Sequence, residues 1–357
     1  MTNAPTSRRA LLTGLTLAPA LALPNIVRAQ TPIKWRMVTS WTKGLPGPGT
    51  SAMRLAKTIT ALSGGRLDIQ LFAAGEIVPA FGVFDAVSNG TAEMGHTASL
   101  FWYGKMPTAS YFCTVPFGLS PIEHQAWIEL GGGQTLWDEL YAPYNVKPFM
   151  AGNTGPCMAG WFKNEIKTAD DFKGLRIRVV GMGSEVLKRM GATPIAIPTG
   201  DVAIALERGT IDAVELLAPV NDAPQALYRS APYYLFPGFN KPNGAGEALI
   251  STKAWANLSL DLQEIIRVAC LQEHAASIAE AEYNNAYAIR QLVQEHGVKP
   301  MRLSPEILKF ARDAAMSTLS DVATKDAMSQ KIFNSYQDMQ KHSKIWSGVL
   351  SAVWSLK

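Results

Sequence analysis

One order of strands and helices runs twice through this chain, and that duplication restricts the fold more than any other feature. Ile33 to Trp41 reads as a strand, Ser51 to Leu62 as a helix stopped by Gly64-Gly65, and Leu67 to Phe72 as an alternating strand. Ala80 to Ser88 follows as a helix and Glu93 to Ala98 as a strand. The same order returns with strand Leu175 to Val180, helix Ser184 to Met190, strand Pro194 to Ile197, helix Val202 to Arg208 and strand Ile211 to Val214. Gly191 and Gly209 close the second pair of helices, as residues free to take a left-handed cap. The third strands are approached alike, through Asn89-Gly90-Thr91-Ala92-Glu93 and Arg208-Gly209-Thr210-Ile211-Asp212. Strands alternating with helices build parallel sheets. Two such units predict two α/β lobes with a cleft between them, lined by the carboxyl ends of both sheets.

The rest of the chain fits around those lobes. Residues 1–29 read as a cleaved twin-arginine signal: Arg8-Arg9, an apolar run from Ala10 to Leu23, and a small-residue site at Val27-Arg28-Ala29. Lobe I is assigned to residues 30–152 with about 246–258, and lobe II to 153–245. Residues 259–302 form a long connecting helix opened by Ser259 and ending at Gly297, roughly fifty ångströms long and able to bridge lobes. Residues 303–357 are C-terminal helices, the first opened by Ser304-Pro305 with Leu303 and Leu308 as a hydrophobic staple. Phe333, Tyr336, Met339, Trp346, Val349, Val353 and Trp354 give the tail more apolar surface than a solvated tail carries. It should pack on the body or on a second subunit as a homodimer.

Composition excludes several classes. The formal charge is +4, but Arg8, Arg9 and Arg28 lie in the signal, so a chain starting at Gln30 carries only +1. That balance does not argue for nucleic acid, which would want a clustered basic face. Cys113, Cys157 and Cys270 are far apart and odd in number, with no zinc spacing and no disulfide framework; at most one pair could bridge, and they read as three buried small hydrophobes. No later stretch has the eighteen or so uninterrupted apolar residues of a membrane span. The sequence has no His-Glu-x-x-His, Walker A, EF-hand or Gly-x-Ser-x-Gly pattern. Gly181-Met182-Gly183-Ser184-Glu185-Val186 fails the dinucleotide fingerprint at Val186. No catalytic residue and no required cofactor are assigned.

What converges on the predicted cleft suits an organic anion. Arg178 lies near the carboxyl end of a strand that should be apolar throughout. Arginine keeps its charge and presents a planar fork to a carboxylate. Asn153 sits at the crossing between lobes, Glu215 at the end of the partner strand, and Phe101, Trp102 and Tyr103 after the last strand of lobe I. Glu247 sits beside the return crossing, and His96 is the one histidine near the cleft. Each has a plainer reading. Arg178 could be an edge-strand residue reaching water, Glu215 could simply pair with it, Trp102 and Tyr103 could be core, and Asn153 could be a turn residue. Two other functions stay open: an exported α/β oxidoreductase with a Rossmann-like lobe, and a sensory ligand-binding protein.

Leu175-Arg176-Ile177-Arg178-Val179, the Gly-Thr-Ile-Asp-Ala run at 209–213 and the two-lobed pattern resemble the periplasmic solute receptors of tripartite ATP-independent (TRAP) transporters. The resemblance implies a two-lobed periplasmic-binding-protein fold, a small organic acid held by Arg178, and delivery to TRAP membrane subunits. Gly131-Gly132-Gly133, Ala151-Gly152-Asn153-Thr154-Gly155, Gly160-Trp161-Phe162 and Pro237-Gly238-Phe239 are similar to the branch that binds 2-oxoacids and 2-hydroxy acids. In that branch a sodium or calcium ion can bridge the ligand, and Glu215 and Glu247 resemble its acidic metal-site residues. The resemblance also places Cys157 and Leu216 at the ligand, where the branch has Gln and Trp. Exchanging a hard oxygen for sulfur disfavours sodium or calcium, and Leu reshapes the pocket.

Overall fold

The computed structural model describes Met1, Thr2 and residues 31–355, so the assigned signal segment lies outside the described residues save for its first two. Residues from Pro32 onward form one compact unit, which is described by itself. Its strands are β1 (Ile33–Thr39), β2 (Leu67–Phe72), β3 (Met94–Thr97), β4 (Val146–Asn153), β5 (Gly160–Phe162), β6 (Arg176–Arg178), β7 (Thr193–Ile195), β8 (Ala213–Val214), β9 (Tyr233–Phe236), β10 (Ala245–Ser251) and β11 (Lys299–Arg302).

They form two sheets, ordered β2-β1-β3-β10-β4 and β11-β9-β5-β8-β6-β7. Each βαβαβ unit supplies three parallel strands, as the repeat predicts. Both sheets are nevertheless mixed. β10 runs antiparallel between β3 and β4, and β5 runs antiparallel between β8 and β9. The reason is connectivity: β5 is laid down as the chain first enters the second sheet and β10 as it returns to the first. The duplicated order therefore extends to five strands per sheet. The shared acid before each third strand also has one job. Glu93 takes a two-pronged hydrogen bond from Arg36 on β1, and Asp212 takes the same from Arg176 on β6.

Each sheet is covered by an apolar layer on both faces. Helix Pro48–Leu62 packs Leu55 and Ile59 on one face of the first sheet, and helix Val83–Ser88 packs Val83, Phe84 and Val87 on the other. Phe112 stacks between Trp127 and Trp137, with ring centroids 5.3 and 4.9 Å away. Burying such side chains stabilises by about 25 cal/mol per Å² of apolar surface removed from water. Cys113, Cys157 and Cys270 are all buried and unbridged.

The long helix runs over Leu260–His296, 37 residues, and ends at Gly297 in the left-handed region. Leu262, Ile266 and Ala269 pack on the first lobe, while Ile289 and Leu292 pack on the second. Its middle grips the crossing: Ser277 Oγ accepts from the Asn153 backbone N–H at 2.7 Å, and His274 Nδ1 lies 3.1 Å from the Gly152 carbonyl. The assigned helix stops short of Arg302, because residues 299–302 become β11, which pairs in parallel with β9. Helix Pro305–Ala323 is capped by Ser304, whose Oγ accepts from the Ile307 N–H. In the last helix, Ala327–Trp354, Ile332 and Tyr336 are buried against the first lobe, whereas Ile345, Trp346, Val349 and Val353 are exposed. Among the described residues no helix is long and apolar enough to cross a membrane.

Candidate functional site

The two chain crossings, residues 154–159 and 237–244, run side by side. The Thr154 N–H donates to the Gly244 carbonyl and the Cys157 N–H to the Lys241 carbonyl, each at 3.0 Å. Only glycine permits this approach. A Cβ at Gly238 would lie 2.0 Å from the Cys157 carbonyl oxygen, and one at Gly244 would lie 2.0 Å from Thr154 Oγ1. The lobes also touch beyond the crossings, where Asn221 Nδ2 donates to the Pro46 carbonyl at 3.1 Å.

Between the crossings and the two sheets lies a cavity of about 60 Å³. At the roughly 10–15 Å³ that one water occupies on the same measure, it suits a ligand of about four to six non-hydrogen atoms. The carboxyl ends of both sheets line it, as the repeat predicts. Lobe I contributes Trp41, His96, Leu100 and Phe101, and lobe II contributes Arg178, Val180, Thr199, Leu216 and Leu217. Asn153, Thr154 and Lys241 line it from the crossings.

Arg178 is only 2% exposed and lies within the sheet, on a strand bonded to β7 on one side and β8 on the other. It is not an edge residue reaching water. Its Nε donates to the Ile197 carbonyl at 3.0 Å and its Nη1 to the Glu215 carbonyl at 2.8 Å. Nη2 makes no hydrogen bond among the described residues. Burial presses its pKa down to about 10, against the pull of Glu215 and Asp222, so it stays cationic at neutral pH. The tethers fix the plane of the guanidinium and leave one edge for an acceptor in the cavity.

Glu215 does not pair with Arg178 through its carboxylate. Its Oε2 accepts from Asn240 Nδ2 at 2.7 Å, and its Oε1 lies 3.0 Å from the Lys241 ammonium. Lys241, only 4% exposed, also donates to the Leu216 carbonyl. Asp222 sits behind this group, accepting from Trp161, Tyr234 and the Leu217 N–H, with its pKa raised to about 6 by burial. His96 accepts from the Trp41 indole at Nδ1, 2.8 Å away, and holds its Nε2 2.9 Å from the Ala151 carbonyl. Burial pushes its pKa down to about 4, so it is neutral at physiological pH.

The remaining sequence-assigned residues divide. Asn153 lines the cavity, but its amide donates to Asn243 and accepts from the Gly155 N–H, which makes it a tie between the crossings. Trp102 and Glu247 do not reach the cavity. The Trp102 indole and Tyr141 hydroxyl donate to Glu247 within the core of lobe I, and burial raises Glu247 to about 8. The side chain of Glu247 thus points away from Glu215, and the two acids do not form a joint metal site. Tyr103 is half-buried in a neighbouring crevice with Phe81 and Ser184. Cys157 is buried at the crossing, its sulfur 3.7 Å from Thr154 Oγ1 and its thiol raised to about 11.

These donors do not fit a sodium or calcium ion. Glu215 and the Leu216 carbonyl are already engaged by Lys241, and Cys157 offers a protonated sulfur where a hard ion wants oxygen. Among the described residues no three acids, cysteines or histidines gather as a metal site. Lys241 and Asn240 escape sequence reasoning because a lysine in a Pro- and Gly-rich loop is normally solvated. The close-packed glycines on either side, Gly238 and Gly244, are the one signal that this loop is enclosed.

Comparison with known proteins gives a consistent picture. The family model described as DctP, bacterial extracellular solute-binding protein, family 7, matches residues 45–326. A Nostoc protein described as a monocarboxylate 2-oxoacid-binding periplasmic protein is 36% identical over 327 residues, 92% of this chain and 87% of its own. A TRAP periplasmic solute-binding protein from Pseudoalteromonas atlantica, with bound sodium and pyruvate, superposes with a TM-score of 0.88. It is 34% identical, over 92% of this chain and 99% of that one. A Bordetella bronchiseptica TRAP solute-binding protein, a dimer with copurified calcium and picolinate, also superposes with a TM-score of 0.88. It is 33% identical, over 91% of this chain and 96% of that one.

Proposed function

Because the chain belongs to the bacterial extracellular solute-binding proteins of family 7, we propose that it is the periplasmic receptor of a TRAP transporter. It captures a small monocarboxylate of the 2-oxoacid or 2-hydroxy-acid class between its lobes and passes it to the membrane subunits. The observation that carries this reading is Arg178: a buried guanidinium inside a sheet, tethered on two nitrogens and presented to a cavity of small-ligand size. The relatives that bind pyruvate or are described as 2-oxoacid-binding support the same ligand class. The lobes divide at 152/153 and again near 245/246. The receptor binds without catalysis, and the twin-arginine segment at Arg8-Arg9 directs its export.

The exposed Ile345, Trp346, Val349 and Val353 at the end of the last helix support a second element of the reading, a homodimer formed through the C-terminal helices. Native mass spectrometry of gently purified protein tests both. The expected result is a dimer releasing a monocarboxylate of about six non-hydrogen atoms, the size the cavity allows. Release of a nucleotide, or failure to bind any 2-oxo or 2-hydroxy acid added back, overturns the receptor reading. A monomer at micromolar concentration removes the dimer.

A further inference from the structure

We propose that the Lys241 ammonium stands where a metal ion would otherwise bridge the ligand. It is a second fixed cation that recognises the oxygen next to the ligand's carboxylate. The inference deepens the receptor reading above and rests on it. Similar proteins hold pyruvate with sodium or picolinate with calcium, so an acid with a neighbouring heteroatom is bound there beside a cation. In this chain the cation is covalent. The ammonium of Lys241 contacts Glu215 Oε1 and the Leu216 carbonyl, a carboxylate and a carbonyl oxygen of the kind a hard ion seeks. An ammonium carries three N–H donors. One is spent on the Leu216 carbonyl, another faces Glu215 Oε1 as an ion pair without hydrogen-bond geometry, and the third has no acceptor among the described residues. Lys241 is nearly fully buried and lines the cavity, so this donor has no water layer to rest on. A ligand oxygen would satisfy it.

The arrangement gives recognition from two sides. Arg178 offers its untethered edge to the carboxylate, and Lys241 offers one N–H to a 2-oxo or 2-hydroxy oxygen. The site then needs no dissolved cation, and it discriminates pyruvate from propanoate, which has the same carboxylate and no 2-oxygen. A buried polar group left unpaired by the wrong ligand penalises that ligand.

Calorimetric titration with pyruvate and propanoate, in sodium buffer and in choline buffer with EDTA, tests the assignment. Wild-type pyruvate affinity should change by less than about twofold between buffers, because no counter-ion is exchanged. Lys241→Met should lose about 10- to 100-fold in pyruvate affinity while propanoate changes by less than about twofold, the loss of one charge-assisted hydrogen bond. Should Lys241→Met alone fail to fold, the paired variant Lys241→Met/Glu215→Gln removes both charges and carries the same comparison. The assignment is overturned if wild-type pyruvate binding collapses on sodium removal and chelation, or if the variant keeps its preference for pyruvate over propanoate. Wild type that binds neither acid fails the receptor reading itself, a result separate from these two.

Discussion

Val38 and Arg178 occupy the same place in two copies of one strand. Val38 pairs with Gly95 across β1 and β3, and Arg178 pairs with Val214 across β6 and β8. Two residues before them, Arg36 and Arg176 make matching ion pairs with Glu93 and Asp212. One residue beyond their partners stand His96 and Glu215. In lobe I these positions hold a buried valine and a neutral imidazole, and in lobe II a guanidinium and a carboxylate. Lobe I shows that the strand folds with an apolar side chain there. Desolvating a guanidinium is costly, and two backbone carbonyls offset only part of that cost. The charge in lobe II therefore answers to something other than the fold. In the proposed function one lobe binds the anion and the other closes over it with neutral, partly aromatic surface.

The sharpest way to break that comparison is at Arg178. Arg178→Lys keeps the charge but loses the fork and the two-point tether to the carbonyls of Ile197 and Glu215. Carboxylate affinity should fall by about 100-fold or more, as for truncation of one partner of a buried charge pair. Calorimetry with pyruvate reads it. A variant binding within about threefold of wild type would remove Arg178 from the ligand's carboxylate and with it the reason for the asymmetry.

The repeat, the cleft and Arg178 were legible because each leaves a local mark: apolar alternation, Gly-terminated helices, a charge inside a strand. What stayed hidden depends on contacts between distant residues. Lys241 and Glu215 meet only because the return crossing runs past the end of β8, and no spacing in sequence encodes that meeting. Glu247 carries an acid's signature in the sequence. Nothing local says that Trp102 and Tyr141, more than a hundred residues away, turn it into the core. Cys157 is a related case. Its packing follows from the tight glycine crossings, and its place outside the cavity lining could not be read from Gly155-Pro156-Cys157.

The neutral lobe should matter less, and His96→Leu measures by how much. The substitution leaves the Trp41 indole N–H and the Ala151 carbonyl without their partner in the cavity wall. Most of the cost of two neutral buried hydrogen bonds falls on stability, and a differential part of about 1 kcal/mol should lower pyruvate affinity by about fivefold. A loss as large as that of Arg178→Lys would mean that lobe I binds the anion directly and is more than a lid.

Glu247 tests the lower end of the scale, because its acid lies outside the cavity although it neighbours Gly246 in the wall. Glu247→Gln should leave pyruvate affinity within about twofold of wild type, since Gln can keep the acceptor for Trp102 and a hydrogen bond to Tyr141. Its effect should appear in stability. Burial raises the folded pKa of Glu247 from 4.5 to about 8. A raised pKa means that the native state holds a proton the unfolded chain has released. The stabilisation is therefore complete below about 4.5 and is lost as the pH rises through about 8. Wild type should lose on the order of 5 °C in Tm between pH 6 and 9 from this group, and the Gln variant should lose less. Thermal unfolding across that range, with and without pyruvate, separates the two readouts. A variant with unchanged pH dependence, or with weakened binding, would return Glu247 to the ligand site and place an acid in the lobe that the comparison with Val38 and His96 leaves neutral.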